Sequence, residues 1–316
     1  MDLLSAKLRV ASLLGGIAIA LVAAAIIISV IQYFFGTGFS LFMLSLILLF
    51  ILAVDVIQWL FSPYLIGLAY RLSPVPENDI NYSWLLEMVQ RISSQSGIRT
   101  PRIYIAEVGF PNAFAYSSPI AGRRVAITRP LFNILNREEL EAVLAHELGH
   151  LKHRDVELLF AIGLIPSLIF YVAYGLIFSS DNRQQSGYAF IIALALMVLS
   201  FVFNLVILGI NRMRETYADI NATKYASEGA ANLQTALAKI VSYSGTRFRR
   251  KKTEATNNIT SMLLFSDMNT EADGNISALL EKWRGMKVSF LHSIFSSHPH
   301  PAKRIQMLEN IRRGSN

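Results

Sequence analysis

No Asp, Glu, Lys or Arg occurs between Val10 and Val54. So long an uncharged apolar run is out of place in a water-soluble fold, whereas a bilayer requires roughly 20 apolar residues for each spanning helix. The run holds two such helices, with Gly36-Thr37-Gly38 as the turn between them. Two further uncharged stretches, Leu158 to Ser180 and Gln184 to Asn211, are each long enough to span, and the polar loop Ser179 to Gly187 separates them. Four transmembrane helices are therefore expected. Pro166 falls inside the third, where neighbouring helices and local backbone adjustment can accommodate it. A hydrophobic content of 53% agrees, exceeding that of ordinary soluble domains. The first run is too long for a secretory signal, lacks a small-residue cleavage site and leads directly into another span, so it is expected to be retained.

The net charge of +7 raises the possibility of nucleic-acid binding, but the basic residues sit beside span ends. Lys7 and Arg9 precede the first span, Arg71 follows the second, Lys152 and Arg154 precede the third, and Arg212 and Arg214 follow the fourth. The intervening loops carry only Arg183. By the positive-inside rule, both termini and the segment from about Tyr70 to Glu157 are cytoplasmic. That bias explains the charge without nucleic acid. The cluster Arg247, Arg249, Arg250, Lys251 and Lys252 opens a biased segment running to Thr260, expected to be a mobile loop near anionic headgroups and open to self-cleavage.

Apolar spacing at Leu85, Leu86, Val89 and Ile92 predicts an amphipathic helix over Asn81 to Ser96. Arg102 to Val108, Ala113 to Ser118 and Arg123 to Arg129 read as short strands joined through Gly109-Phe110-Pro111 and Pro119 to Gly122, which suggests a small meander or hairpin sheet. Asn136, with Glu139 three residues on, is an N-cap signature for a helix beginning near Arg137.

That helix contains His146-Glu147-Leu148-Gly149-His150. The i, i+4 spacing sets both imidazoles on one face, where they can share a metal ion. Leu140, Val143, Leu144, Leu148 and Leu151 supply an apolar packing face. Gly149 costs about 1 kcal/mol relative to Ala in a helix interior, which suggests that a neighbour needs the space. The chain has no cysteine and six histidines, so thiolate ligands are excluded. A third ligand must come from elsewhere. The metzincin spacing would put a histidine where Val156 stands, and His153, on the same helix as the other two, is poorly placed to complete a tetrahedron. Glu215 and Asp219, again at i, i+4 and just after the fourth span, are better candidates: Glu215 can bind metal and Asp219 can orient a ligating histidine. Two membrane crossings return them to the side of His150. The expected chemistry has Glu147 take a proton from a water polarised by zinc, as that water attacks a peptide carbonyl, and later pass it to the leaving amine. His298-Pro299-His300-Pro301-Ala302-Lys303-Arg304 offers candidate oxyanion donors, although residue types alone favour a solvated turn.

Together with Asn112-Ala113-Phe114 and Ser297-His298-Pro299, these motifs resemble the HtpX family of membrane-bound zinc metalloproteases, relatives of the CAAX prenyl proteases, over nearly the whole chain. The resemblance implies a gluzincin site with one zinc held by His146, His150 and Glu215, Glu147 as general base and Asp219 behind the ligands. It also implies transition-state or substrate contacts from His298 and Arg304, and strand addition of substrate along Ala113 to Ser118 near Asn112, Ala113 and Phe114. His300 departs from the usual tail pattern and leaves open which histidine faces the cleft. The implied role is cleavage of damaged or misfolded membrane proteins on the cytoplasmic side, in stress response and quality control, with polypeptide and bilayer as partners. Four spans favour this family over the longer prenyl-protein proteases.

The expected fold is mainly α with a small β-sheet: four transmembrane helices and a zincin-like cytoplasmic protease domain. Residues 1–69 form an N-terminal membrane hairpin, 70–157 one part of the protease, 158–211 a second hairpin, and 212–316 the remainder of the protease. A non-proteolytic zinc scaffold would not need Glu147. A transporter should carry ionisable groups at mid-membrane, which these spans essentially lack.

Overall fold

The computed structural model describes residues 41–178, 183–252, 275–288 and 298–314. Three helices among them are long and apolar enough to cross a membrane: Leu49–Ala69, Asp155–Ile177 and Gly187–Tyr225. The expected first span lies outside the described residues, so of the four expected crossings three are seen. The chain divides into two compact units.

The first unit comprises residues 1–62, 154–215 and 290–298. It contains most of α1 (Leu41–Ala69), all of α5 (Asp155–Phe178) and the greater part of α6 (Arg183–Tyr225). Ile162, Ile169, Ala173, Leu176, Ala193, Leu196 and Phe203 form the α5/α6 seam. Phe170, Tyr174, Phe190, Ile191 and Phe201 are exposed, as suits helices solvated by lipid rather than water. Pro166 withdraws a backbone donor from α5, and the Ser200 hydroxyl of α6 donates to its carbonyl at 2.8 Å. At one end of the pair the buried Arg214 guanidinium meets Asp155 at 2.9 Å. α6 starts at Arg183, so part of the expected polar loop is helical. α1 runs to Ala69 and so carries Asp55, which lies just beyond the uncharged run, within an apolar helix, although the spans were expected to hold essentially no ionisable group at mid-membrane.

The second unit comprises residues 63–153, 216–289 and 299–316. Its sheet has the order β1-β2-β4-β3, formed by β1 (Leu72–Pro74), β2 (Arg102–Ala106), β3 (Ala113–Ser118) and β4 (Gly122–Thr128). The expected meander is corrected: β2 pairs parallel to β4, because the chain leaves β2, passes to the far edge as β3 and returns antiparallel as β4. β1 and the short helix α3 (Arg129–Ile134), which begins with Pro130 in its first turn, were not anticipated. α2 (Ser83–Ser96) follows a 3-10 turn at Ile80–Tyr82 and ends at Gly97, whose φ of 72° closes the helix in the left-handed region.

α4 (Arg137–His153) starts in a reciprocal capping box. Asn136 Oδ1 accepts the Glu139 backbone N–H at 2.8 Å, and Glu139 Oε2 accepts that of Asn136 at 3.0 Å. Leu140, Leu144, Leu148 and Leu151 are buried among α2, the sheet and α7 (Gly229–Lys252). Each such leucine stabilises the packing by about 1.5–3 kcal/mol. α7 runs through the basic cluster to Lys252, where a mobile loop was expected; residues 253–260 of that segment lie outside the described residues. α8 (Ile276–Gly285) and α9 (Pro301–Arg312) close the unit around Leu280, Trp283, Ala302 and Ile305. Glu309 anchors α9. Its carboxylate receives Arg312 and Arg313 at 2.8 Å, and the Arg312 hydrogen bond foremost holds its pKa down at about 2 against the opposing effect of burial.

Candidate metal centre

Helical spacing places the central groups. On α4, the His146 and His150 rings stand at right angles with centroids 4.9 Å apart. On α6, Glu215 and Asp219 are one turn apart on a helix that runs unbroken past both. One donor atom from each of His146, His150 and Glu215 lies within 4.8 Å of the other two. Two neutral imidazoles and a carboxylate form the three-ligand set of a catalytic site that keeps a position open. His146 Nδ1 faces Asp219 Oδ1 at 2.9 Å, a carboxylate contact that leaves Nε2 as the nitrogen available to a metal ion. The donor set therefore fits a divalent metal ion.

Asp219 is fully buried and receives a two-pronged contact from Arg304, with Nε at 2.9 Å from Oδ2 and Nη2 on Oδ1. Arg304 Nη2 also lies 3.4 Å from His146 Nδ1. His298 Nδ1 is 3.1 Å from Glu215 Oε2, with most of its side chain exposed. His300 has a different task, since its Nδ1 accepts the Ala302 N–H at 3.1 Å and caps α9. His153 is outside the ligand cluster; its ring lies 5.6 Å from that of Tyr217.

β3 is one of the two edge strands of the sheet among the described residues, β1 being the other, and it lies against α4. Glu147 Oε2 accepts the Ala115 backbone N–H at 3.0 Å, so the edge strand and the candidate base are directly joined. Ala113, two residues earlier, directs its backbone the same way. Asn112 is held from the other side, its N–H donating to Thr128 Oγ1 at 2.8 Å. Phe114 packs its ring 4.8 Å from that of Tyr70. Tyr116 is buried, which pushes its phenol up to about 12 despite the opposing charge of Arg124, so it stays protonated.

Sequence reasoning missed Ala115 and Asn221. The former acts through its backbone, which residue type does not reveal. Asn221 donates from Nδ2 to the Ala145 carbonyl at 2.6 Å, and a Cβ at Gly149 would lie 3.0 Å from Asn221 Cβ and 3.1 Å from Ala218 Cα. Gly149 is thus where α4 and α6 approach so closely that even a Cβ would press on Asn221 and the Ala218 backbone. Gly149→Val is expected to lower stability by about 1–3 kcal/mol and to weaken metal retention. Denaturant unfolding with elemental analysis checks both, and wild-type behaviour in the two assays would refute the close-approach argument.

The sequence model of peptidase family M48 matches residues 79–312, and the chain belongs to that family. Fold, ligand cluster and family together define a multi-pass membrane metalloprotease. The HtpX resemblance also holds. A protein named Protease HtpX homolog from Picrophilus torridus is 50% identical over 99% of both chains. A like-named protein from Thermoplasma volcanium is 48% identical over 98% of this chain and 96% of its own. The crystal structure of S. mikatae Ste24p shares the fold, with a TM-score of 0.53 at 18% identity, covering 96% of this chain and 67% of that one.

Proposed function

We propose that this protein is a zinc-dependent endopeptidase that cleaves damaged or misfolded membrane proteins on the cytoplasmic side, as part of quality control under stress. The observation that carries the reading is the convergence of His146, His150 and Glu215, with Glu147 between the two histidines in sequence and joined to the edge strand. Residues 1–69 and 158–211 serve as membrane hairpins, and residues 70–157 and 212–316 build the protease part. The positive-inside distribution of Lys7, Arg9, Arg71, Lys152, Arg154, Arg212 and Arg214 supports the orientation.

His146, His150 and Glu215 would hold one zinc ion, which when bound supplies Lewis acidity toward water and the scissile carbonyl. Every other step belongs to the chain. An extended substrate adds to β3 near Asn112, Ala113 and Phe114, using main-chain hydrogen bonds that tolerate varied side chains. Glu147 removes a proton from the attacking water at a carboxylate oxygen and returns it to the leaving nitrogen. Asp219 holds His146 in one tautomer, and Arg304 fixes Asp219. Its guanidinium and His298 place donors beside the centre, where an oxyanion develops.

Chelation of the detergent-purified protein is expected to abolish cleavage of an unfolded model protein, and zinc at one equivalent per chain to restore it. Cleavage that persists without metal would overturn the reading. Restoration by ferrous iron but not zinc would overturn the metal assignment alone, since two histidines and a carboxylate also suit iron.

A further inference from the structure

Asp55 is the carboxylate of an otherwise uncharged apolar helix, and it faces a groove of about 330 Å³ shared by α1 and α5. The lining includes Asp55, Gln58, Trp59, Ser62, Gly163 and Ser167. Ser167 lies about 18 Å along α5 from Asp155, and Asp55 about 21 Å along α1 from Ala69, at the helical rise per residue. In a hydrocarbon layer about 30 Å thick, Ser167 is therefore near the middle and Asp55 about two-thirds of the way across from the Ala69 end, both within the layer.

An ionisable group at that depth is costly and calls for a partner. Among the described residues, Asp55 has one hydrogen bond, from Ser167 Oγ at 3.1 Å, and that hydroxyl's single proton is shared with the nearer Leu164 carbonyl at 2.9 Å. Beside it, Trp59 Nε1 is buried without an acceptor among the described residues, and the indole stacks on Phe160 with centroids 4.7 Å apart. Gly163 borders open space in the groove: among the described residues a Cβ there would meet nothing within 4 Å.

We infer that this groove is a docking site, apart from the metal centre, for a membrane-spanning segment of another protein that carries a lysine or arginine within the bilayer. Asp55 pairs with the cation, Trp59 adds an aromatic surface beside it, and the apolar groove walls receive the rest of the helix. A spanning helix with an unpaired basic residue is what a membrane protein exposes when its own partner is missing, so the groove selects for orphaned or misassembled substrates. The inference rests on the reading that membrane proteins are the substrates.

The test measures binding, not turnover. Glu147→Ala protein in phosphatidylcholine vesicles is titrated with a fluorescent Leu/Ala spanning peptide bearing one central lysine, or leucine in its place, and energy transfer is recorded. The lysine peptide is expected to bind about three- to tenfold more tightly. Asp55→Asn and Gly163→Leu should each remove that preference, the second by filling the groove without touching the carboxylate. Equal binding of the two peptides, as would follow if the protein's own residues 10–40 covered the groove, overturns the inference. So does a preference that survives both substitutions. With Glu147 intact, Asp55→Asn should cut a soluble unfolded protein at the wild-type rate, and a lowered rate would count against a separate docking role. If wild type cuts nothing, the endopeptidase reading fails while the peptide comparison still decides the groove.

Discussion

Glu147→Gln protein is expected to keep its metal at one per chain and to cleave an unfolded substrate about 10²–10⁴-fold more slowly than wild type. Glutamine retains the size of glutamate and a carbonyl oxygen for the Ala115 N–H, so the contact between α4 and β3 can persist. What disappears is the group that accepts a proton at neutral pH. The substitution therefore separates base chemistry from architecture, which removal of a ligand histidine would not. Single-turnover cleavage, elemental analysis and a melting curve on the same preparation give the answer. Wild-type rates with normal metal content would reject Glu147 as the base and favour water activation by the metal ligands alone.

Asp219→Ala should have the largest effect on stability and metal affinity together. Asp219 is fully buried between Arg304 and His146, and its removal strands a largely buried guanidinium and releases the His146 ring from its fixed tautomer. A buried pair broken on one side costs about 3–5 kcal/mol. Loss of the carboxylate behind a ligating histidine costs about 10–100-fold in metal affinity. Denaturant unfolding and competitive metal titration measure the two effects separately. Adding Arg304→Met to Asp219→Ala should recover part of the stability but none of the metal affinity, because the stranded charge is gone and the ring remains unheld. An additive double variant would show that Arg304 and Asp219 do not act as a unit.

Much of the candidate site was legible because its parts recur at helical spacing. His146 with His150, and Glu215 with Asp219, share faces for the same reason, and Asn136 with Glu139 announces where α4 begins. Gly149 was readable as a need for space, although nothing nearby in sequence says that Asn221 and Ala218 fill it. The sheet was only half legible. Strand content showed in the residue types, but the parallel pairing of β2 with β4 depends on where β3 lies, and β3 has the same local pattern in a meander. The hydrogen bond from Ala115 to Glu147 and the capping role of His300 both depend on atoms that residue identity does not position.

Asp55 marks the boundary between these two kinds of information. Counting charges along the chain ended the apolar run at Val54, yet the helix continues to Ala69 because one carboxylate that finds a hydroxyl does not break a helix. Sequence alone marked out the three apolar helices seen among the described residues, the candidate metal-binding residue types and their spacing, since hydropathy and helical periodicity act over a few turns of chain. Tertiary structure decided which donors meet, which strands are the edges, which histidine caps a helix and where a groove opens beside Asp55 between two apolar helices. Those depend on contacts between residues dozens of positions apart, such as His146 with Asp219 or Asp55 with Ser167, and such contacts form only when packed helices and strands bring distant backbone segments within hydrogen-bonding distance.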